Sequence, residues 1–253
     1  MMTKRIFLVI AIVAGISSSG YANEILAFAR YQEIVQGETN APVAIKKARQ
    51  YLVSLSHDDF MAFVRQVGKQ MEYAREDADT GFAMAIFASC YKQGPGKDEP
   101  ILMTLKQLSE PTLPSSWKMG LLDALKLENR SDLTEAEVEA VIVILSDAGR
   151  NKQSSDVFRS FCLGRLGGFL FSQRKILTQK ASDLKDAIEK QDLAVLPKRD
   201  DVNIREAAKL IAAIRDYRAN LQETADEVKD EQIKTNLQKR LLKWEPSPAT
   251  PIK

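Results

Sequence analysis

Helical periodicity is the feature of this sequence that most limits what the chain can fold into. Apolar residues recur at intervals of three and four from residue 24 to residue 245, and no segment shows convincing alternation of apolar and polar residues. The best strand candidate, residues 141–145, continues an acidic stretch in which Thr134 and Glu137 have capping-box spacing. We therefore predict an all-α protein.

Helix-start signals divide the first two thirds of the chain into predicted helices. Pro42 suits a first helical turn, Asp98 precedes Pro100, and Ser56 lies at capping-box distance from Asp59. The predicted helices cover residues 24–36, 42–55, 58–74, 79–92, 98–109, 115–127, 134–148 and 155–168. Taken in pairs, they predict four stacked antiparallel hairpins, arranged either as a solenoid or as an irregular helix bundle.

A long C-terminal hairpin is predicted beyond residue 168. Its narrow apolar seam comes from two sets of residues at helical spacing: Leu177, Ala181, Leu184 and Ile188, then Ala207, Ile211, Ile214, Leu221, Ala225 and Val228. A polar turn around Pro197 separates the sets, and Asn203 precedes Glu206 at helix-start spacing. A last helix is predicted from Glu231 to Lys243, before a Pro-rich flexible tail.

The first 22 residues have the three parts of a secretory signal peptide. Lys4 and Arg5 precede an apolar run over residues 6–16, and small residues lead to a predicted cut between Ala22 and Asn23. That run is too short to cross a hydrocarbon core of about 30 Å. We predict export to the periplasm or the extracellular space, with an uncleaved anchor as the alternative.

These patterns predict four parts of the chain. They are a signal peptide at 1–22, a helical-hairpin repeat domain at 23–168, a long hairpin with a final helix at 169–245, and a tail at 246–253. Without the first 22 of its 253 residues the chain keeps 231. A chain of that size buries about 70% of its unfolded surface, so it folds without a metal or a disulfide.

The hairpin region also shows faint internal similarity. Residues 118–125, with their Leu-Leu-x-Ala-Leu ending, align with residues 83–90 and in part with residues 161–166, sharing apolar and small residues on one helical face. Over residues 24–168 this pattern resembles HEAT or armadillo-type helical repeats. The resemblance implies an extended surface for binding other macromolecules, and an ordinary antiparallel helix bundle is the alternative.

Charge and residue counts exclude several classes of protein. The chain has 36 Lys and Arg against 34 Asp and Glu, and the predicted signal holds two of those cations and no acid. The remainder is neutral, which argues against nucleic-acid binding, because phosphate recognition needs an excess of cations. One histidine and two cysteines exclude the usual four-ligand zinc site and a disulfide-rich fold.

The motifs that could carry chemistry are better explained by structural roles. His57, followed by Asp58 and Asp59, lies at a predicted helix start, so capping is favoured over a role as general base. The acidic stretch 77–81 lacks the glycine position and the final glutamate of a calcium loop. Residues 94–97 (Gly-Pro-Gly-Lys) predict a turn, because a phosphate loop needs other neighbours.

Other candidates also favour structural roles. Gly164, Gly167 and Gly168 follow no strand, and we predict that they allow close helix contact or end the eighth helix. The acids at 135, 137, 139, 226 and 227 have the spacing of a solvated helix surface. Asn129-Arg130-Ser131 is a glycosylation acceptor only in a eukaryotic host, and Trp117 and Trp244 are interface anchors or, preferably, packing residues. No catalytic, cofactor-binding or metal-binding residue is predicted.

The two cysteines offer a test of architecture. An exported chain meets oxidising conditions, so Cys90 and Cys162 could form a disulfide bond. The alignment instead places them in non-adjacent hairpins, farther apart than a disulfide can span, so two buried thiols are predicted.

Three functions remain open at this point. The leading hypothesis is an exported, non-catalytic helical scaffold or interaction module with a protein partner, including possible self-association through residues 170–244. The second is a hydrolase that uses Asp and Glu in a helical cleft. The third is a carrier of an apolar ligand in the bundle interior, with methionines as wall candidates: Met61, Met71, Met84 and Met103.

Overall fold

A computed structural model describes residues 26–71, 78–199 and 201–246. This part of the chain contains eleven α-helices and no β-strand, which confirms the predicted all-α class. The chain divides into two compact units, Met1–Leu125 and Lys126–Lys253. The predicted signal peptide lies outside the described residues, as do residues 247–253 of the predicted tail.

The first unit contains six helices. They are α1 (Leu26–Gln36), α2 (Ala41–Ser54), α3 (His57–Met71), α4 (Ala78–Gln93), α5 (Ile101–Lys106) and α6 (Ser115–Leu125), with a 3₁₀ turn at Gln107–Ser109. Each begins within a few residues of its predicted start. Helices α1 and α2 pack as antiparallel neighbours, whereas the most extensive contact of α4 is with α6. Packing therefore does not follow chain order alone.

Aromatic rings form the centre of the first unit. The Phe63 ring lies 5.1 Å from the rings of both Tyr31 and Phe87, and the Phe60 ring lies 5.9 Å from that of Trp117. All five side chains are at most 3% exposed. Because aromatic rings bury large areas and pack edge to face, this cluster joins α1, α3, α4 and α6 into one core.

The second unit contains five helices. They are α7 (Glu135–Arg150), α8 (Asp156–Lys180), α9 (Lys185–Lys190), α10 (Val202–Glu227) and α11 (Glu231–Lys243), with 3₁₀ turns at Leu127–Asn129, Ser182–Leu184 and Leu193–Val195. The last helix has the predicted bounds. None of the helices in the described ranges combines the length and apolar character needed to cross a membrane.

Helices α8 and α10 form the central pair of the second unit. They run antiparallel, since Arg159 bonds to Glu227 near one end while Leu177 and Leu210 share a cavity near the other. Helix α7 packs against both of them, and α11 also contacts both. The predicted C-terminal helical hairpin is thus present, and α10 packs about as extensively against α8 as against α11.

The predicted apolar seam is buried in the structure. All ten of its residues are at most 8% exposed. The first arm is not one continuous helix, however, because α8 ends at Lys180. Leu184 belongs to the following 3₁₀ turn, and Ile188 belongs to α9. The sequence therefore predicted which residues are buried more reliably than it predicted where a helix is interrupted.

The predicted end of a helix at residue 168 is wrong. Helix α8 continues to Lys180, because its buried face extends beyond the glycines through Phe169, Leu170 and Leu177. The three interior glycines of α8 cost about 1 kcal/mol each relative to alanine, and burial of three large side chains exceeds this penalty.

Helix starts show the expected capping chemistry, with one correction. Thr134 and Glu137 form the predicted capping box of α7. The Ser56 hydroxyl accepts a hydrogen bond from the Asp59 N–H at 3.2 Å, at the start of α3. Helix α10, by contrast, is capped by Asp201, whose carboxylate accepts from the Ile204 N–H at 2.9 Å, and not by Asn203.

Candidate functional site

The main candidate site is an apolar groove in the second unit. Helices α7, α8 and α10 line a cavity of about 320 Å³. Its apolar lining includes Val138, Ile142, Val143, Ile176, Leu210 and Ala213. Val143 is 51% exposed, so the groove opens to solvent. A contiguous apolar surface of this kind on a helical unit is typical of a binding site.

Charged side chains surround the apolar lining. The lining contains two lysines, Lys180 and Lys209. It also contains four carboxylates, which give it a net formal charge of −2: Glu135, Glu139, Glu206 and Asp216. Lys209 Nζ lies 2.8 Å from a Glu135 oxygen and 3.3 Å from a Glu139 oxygen. The hydrogen bond from Lys209 lowers the pKa of Glu135, so this carboxylate is ionised at neutral pH.

The carboxylates considered as catalytic candidates have ion-pair and capping roles. Glu137 accepts a hydrogen bond from the Thr134 N–H, which lowers the pKa of its carboxyl group. Glu227 pairs with Lys152 and Arg159, and Asp226 accepts a hydrogen bond from Gln222. Among the described carboxyl groups, each resolved pKa shift is downward, which favours the charged form.

His57 lies in a polar network at the edge of the first unit. The Tyr91 hydroxyl is 3.1 Å from His57 Nδ1 and donates to a Glu99 oxygen at 2.9 Å. The same hydroxyl accepts a hydrogen bond from the Gln107 amide at 3.1 Å, and Trp117 Nε1 donates to the Gln107 oxygen at 3.2 Å. Burial raises the pKa of Tyr91, so its hydroxyl stays neutral. The network joins α3, α4 and the loop at Glu99.

The glycine-rich motif at 94–97 is a turn, as predicted. The N–H groups of Gly94 and Gly96 both donate to the Tyr91 carbonyl, at 3.2 and 2.8 Å. A side chain at Gly94 would collide with the Val53 main chain of α2, so glycine lets the turn approach this helix closely. The side chains of the acidic stretch 77–80 lie outside the described residues.

The cysteines are two buried thiols, and no disulfide joins them, as predicted. Cys90 packs in the aromatic core of the first unit and Cys162 lies on the buried face of α8. Burial raises the pKa of Cys90, which keeps it in the unreactive thiol form.

Two of the four methionines considered as cavity walls, Met61 and Met84, lie in a packed core. Met61 and Met84 fill the core of the first unit, at 5% and 0% exposure. Met103 is 49% exposed on α5, and the Met71 side chain lies outside the described residues. Core filling therefore explains Met61 and Met84.

The remaining candidates occupy helix surfaces and contacts. Asn129 is exposed at the end of its 3₁₀ turn, and Trp117 is fully buried. Trp244 follows α11 and packs edge to face on Tyr217, with ring centroids 5.5 Å apart. Gly164 and Gly167 do allow close contact, but with the side chains of Arg240 and Tyr217.

Sequence reasoning did not predict the apolar groove. Val138 and Ile142 of α7 have the same helical spacing as the buried Val141 and Leu145, and no local signal shows that they line a groove instead. Within the described ranges, no three His, Cys, Asp or Glu side chains are grouped so that they could hold a metal ion. Comparison with protein-family models, curated proteins and solved structures finds no match to this chain.

Proposed function

We propose that this protein is an exported, non-catalytic interaction module that binds an amphipathic helical segment of a partner protein in the α7–α8–α10 groove. The observation that carries the proposal is an apolar groove with a half-exposed Val143. An amphipathic helix covers such a groove with apolar residues spaced three and four apart.

The charge of the groove selects the partner. Its rim carries a net formal charge of −2, and Asp216 and Glu206 have no ion pair with a lysine or arginine within the described part of the chain. Opposite charges at an interface rim favour encounter and suppress wrong partners. The occupant we propose is therefore a helix with lysine or arginine beside its apolar face.

The size of the groove argues against a carrier of apolar ligands. Ligand pockets usually have volumes of about 300–1,000 Å³ and enclose most of the ligand. This cavity, at about 320 Å³ and open at Val143, is at the small end of that range. A few side chains of a docked helix fill it more completely than a mobile apolar molecule.

Two broader predictions belong to the same proposal. Export is supported by the signal-peptide pattern of residues 1–22. Membership of the hairpins in a HEAT or armadillo-type array is supported by the packed antiparallel neighbours α1 with α2 and α7 with α8. No arrangement in the described residues favours the hydrolase hypothesis over binding.

A designed peptide tests the groove directly. A fluorescent 18-residue helix with leucines on one face and lysines on the other is titrated with the full chain, and its anisotropy is measured. We expect saturable binding, and we expect Val143→Asp to weaken it at least about tenfold, since a buried unpaired carboxylate costs more than 1.4 kcal/mol. Val157→Asp is the matched control, because Val157 is 54% exposed on α8 but does not line the groove.

Each other outcome contradicts the proposal. If a leucine–glutamate version of the peptide binds equally well, the charge of the groove rim does not determine which partner binds. Equal weakening by Val143→Asp and Val157→Asp shows that the groove is not the site. A dimer in analytical ultracentrifugation that Val143→Asp dissociates identifies a second copy of this chain as the occupant instead.

A further inference from the structure

A second cavity in the same unit has a different chemistry. Its volume is about 410 Å³, and residues of α8, α10 and α11 line it, with Trp244 after α11. Three of the lining residues are cations, Arg174, Arg240 and Lys243, and no carboxylate lines the cavity. None of the three forms an ion pair with any residue that the structure describes. Uncompensated cations gathered around one cavity attract an anion.

A tyrosine hydroxyl also faces this cavity. Tyr217 is 1% exposed and lines the cavity, yet its hydroxyl has no hydrogen-bond partner in the described ranges. Gly167 makes room for it, because a Cβ atom there would collide with the Tyr217 oxygen. Burial raises the pKa of Tyr217 to about 12, so the hydroxyl keeps its proton at neutral pH. The hydroxyl is therefore available both to donate a hydrogen bond to a ligand in the cavity and to accept one from it.

Arg240 is held in place beside this hydroxyl. Its Nη1 atom donates to the Ser160 carbonyl at 2.7 Å, which leaves its other N–H groups for a ligand. A Cβ atom at Gly164 would lie 2.6 Å from the same nitrogen, so glycine is needed for the guanidinium to lie against α8. The position of Arg240 is therefore determined before any ligand binds.

Aromatic rings form the apolar wall of the cavity. The Arg174 guanidinium lies 5.0 Å from the centre of the Phe171 ring and 5.8 Å from that of Trp244. Phe171 is 54% exposed, so this wall is accessible from solvent. Gln191 holds the Trp244 main chain, donating to its carbonyl oxygen at 2.7 Å.

We propose that this cavity binds a small organic anion, with its anionic group on Arg240, Lys243 and the Tyr217 hydroxyl and its apolar or aromatic part against Phe171 and Trp244. Charge-assisted hydrogen bonds from arginine and tyrosine suit carboxylate or phosphate oxygens. The aromatic wall adds contact area that a free inorganic ion cannot use. This site is separate from the groove, since the two share no lining residue.

Calorimetric titration of the full chain with phenyl phosphate tests the proposal. We expect saturable binding that weakens with added salt, binding of inorganic phosphate at least about tenfold weaker, and no binding of neutral benzyl alcohol. Failure of phenyl phosphate to bind at millimolar concentration overturns the site. Equal affinity for inorganic phosphate overturns the role of the aromatic wall.

Three substitutions locate the binding. Tyr217→Phe and Lys243→Gln are each expected to weaken phenyl phosphate binding at least about fivefold, whereas Lys239→Gln, an exposed cation of α11 outside the cavity, leaves it unchanged. Tyr217→Phe also leaves the midpoint of urea unfolding unchanged, because the hydroxyl bonds to no other described residue. Equal weakening by Lys239→Gln shows non-specific attraction to a basic helix and contradicts the proposal.

Discussion

At the scale of single residues, Arg159 is the most buried charged side chain in the described part of the protein. It is 4% exposed, and its guanidinium donates to the Gly149 carbonyl at 3.1 Å and to a Glu227 oxygen at 2.8 Å. A second carboxylate is farther away, with 3.6 Å between Arg159 Nη1 and an Asp156 oxygen. Removal of Glu227 therefore leaves the buried guanidinium with a weaker ion pair, which destabilises the fold. Glu227 therefore stabilises the second unit through its ionised form.

Replacement of the Glu227 carboxylate is expected to lower the stability of the protein by an amount that depends on pH. Hydrogen bonds from Lys152 and then Arg159 lower the pKa of Glu227 in the folded protein. Its stabilisation is therefore complete above the unfolded pKa of about 4.3 and is lost as the pH falls through the lower folded value. We expect Glu227→Gln to lower the urea midpoint at pH 7, and we expect the difference from the natural protein to shrink as the pH falls from 5 to 3.

The neighbouring acid provides the control for this experiment. Among the described residues, Asp226 accepts hydrogen bonds only from Gln222 on the same helix, so Asp226→Asn should leave the midpoint nearly unchanged at each pH. A constant difference between Glu227→Gln and the natural protein across this range would show that charge is not the cause.

At the scale of helices, the most extensive contact described in the first unit is between α4 and α6. Gly120 of α6 is buried, and a Cβ atom there would lie 2.8 Å from the Met84 carbonyl oxygen of α4. The obstacle is main chain, which cannot rotate away as a long side chain can. Glycine thus sets the distance between these helices.

A pair of glycine substitutions tests this contact. We expect Gly120→Ala to destabilise the protein by about 1–3 kcal/mol, because the helices must separate. Gly81→Ala in α4 should instead stabilise by about 0.5–1 kcal/mol, since its Cβ meets nothing within 4 Å. Urea unfolding measures both, and destabilisation of similar size at the two positions would contradict the argument.

At the scale of the whole molecule, the division after Leu125 separates two cores. The aromatic cluster lies within the first unit, and the seam of α8 and α10 lies within the second. A unit with its own core is expected to fold without the other.

A fragment tests this expectation. Residues 126–246 should show helical circular dichroism and one cooperative urea transition, with a slope of roughly 1–3 kcal/mol per molar urea. Residues 135–180 are the control, because α7 and α8 without α10 leave their buried faces exposed and should not unfold cooperatively. A non-cooperative transition in the longer fragment would show that the second unit depends on the first.

Local physics determined what the sequence could predict by itself. The all-α class, the bounds of α11, the capping box at Thr134 and the burial of the seam all depend on residues within a few positions of one another. Periodicity and capping act over one or two helical turns, so the linear order of residues contains that information.

Outside that seam, only the tertiary structure decided which apolar residues are buried and which line a cavity. In α7, Val141 and Leu145 are buried in the core, whereas Val138 and Ile142, which have the same helical spacing, line the groove. The positions of α8 and α10 determine which part of this face is covered. The cations of the second cavity come from two helices more than sixty residues apart in the chain, and they meet only because α8 and α11 pack together. Which distant residues come together depends on contacts between helices, and no local pattern in this sequence predicts those contacts.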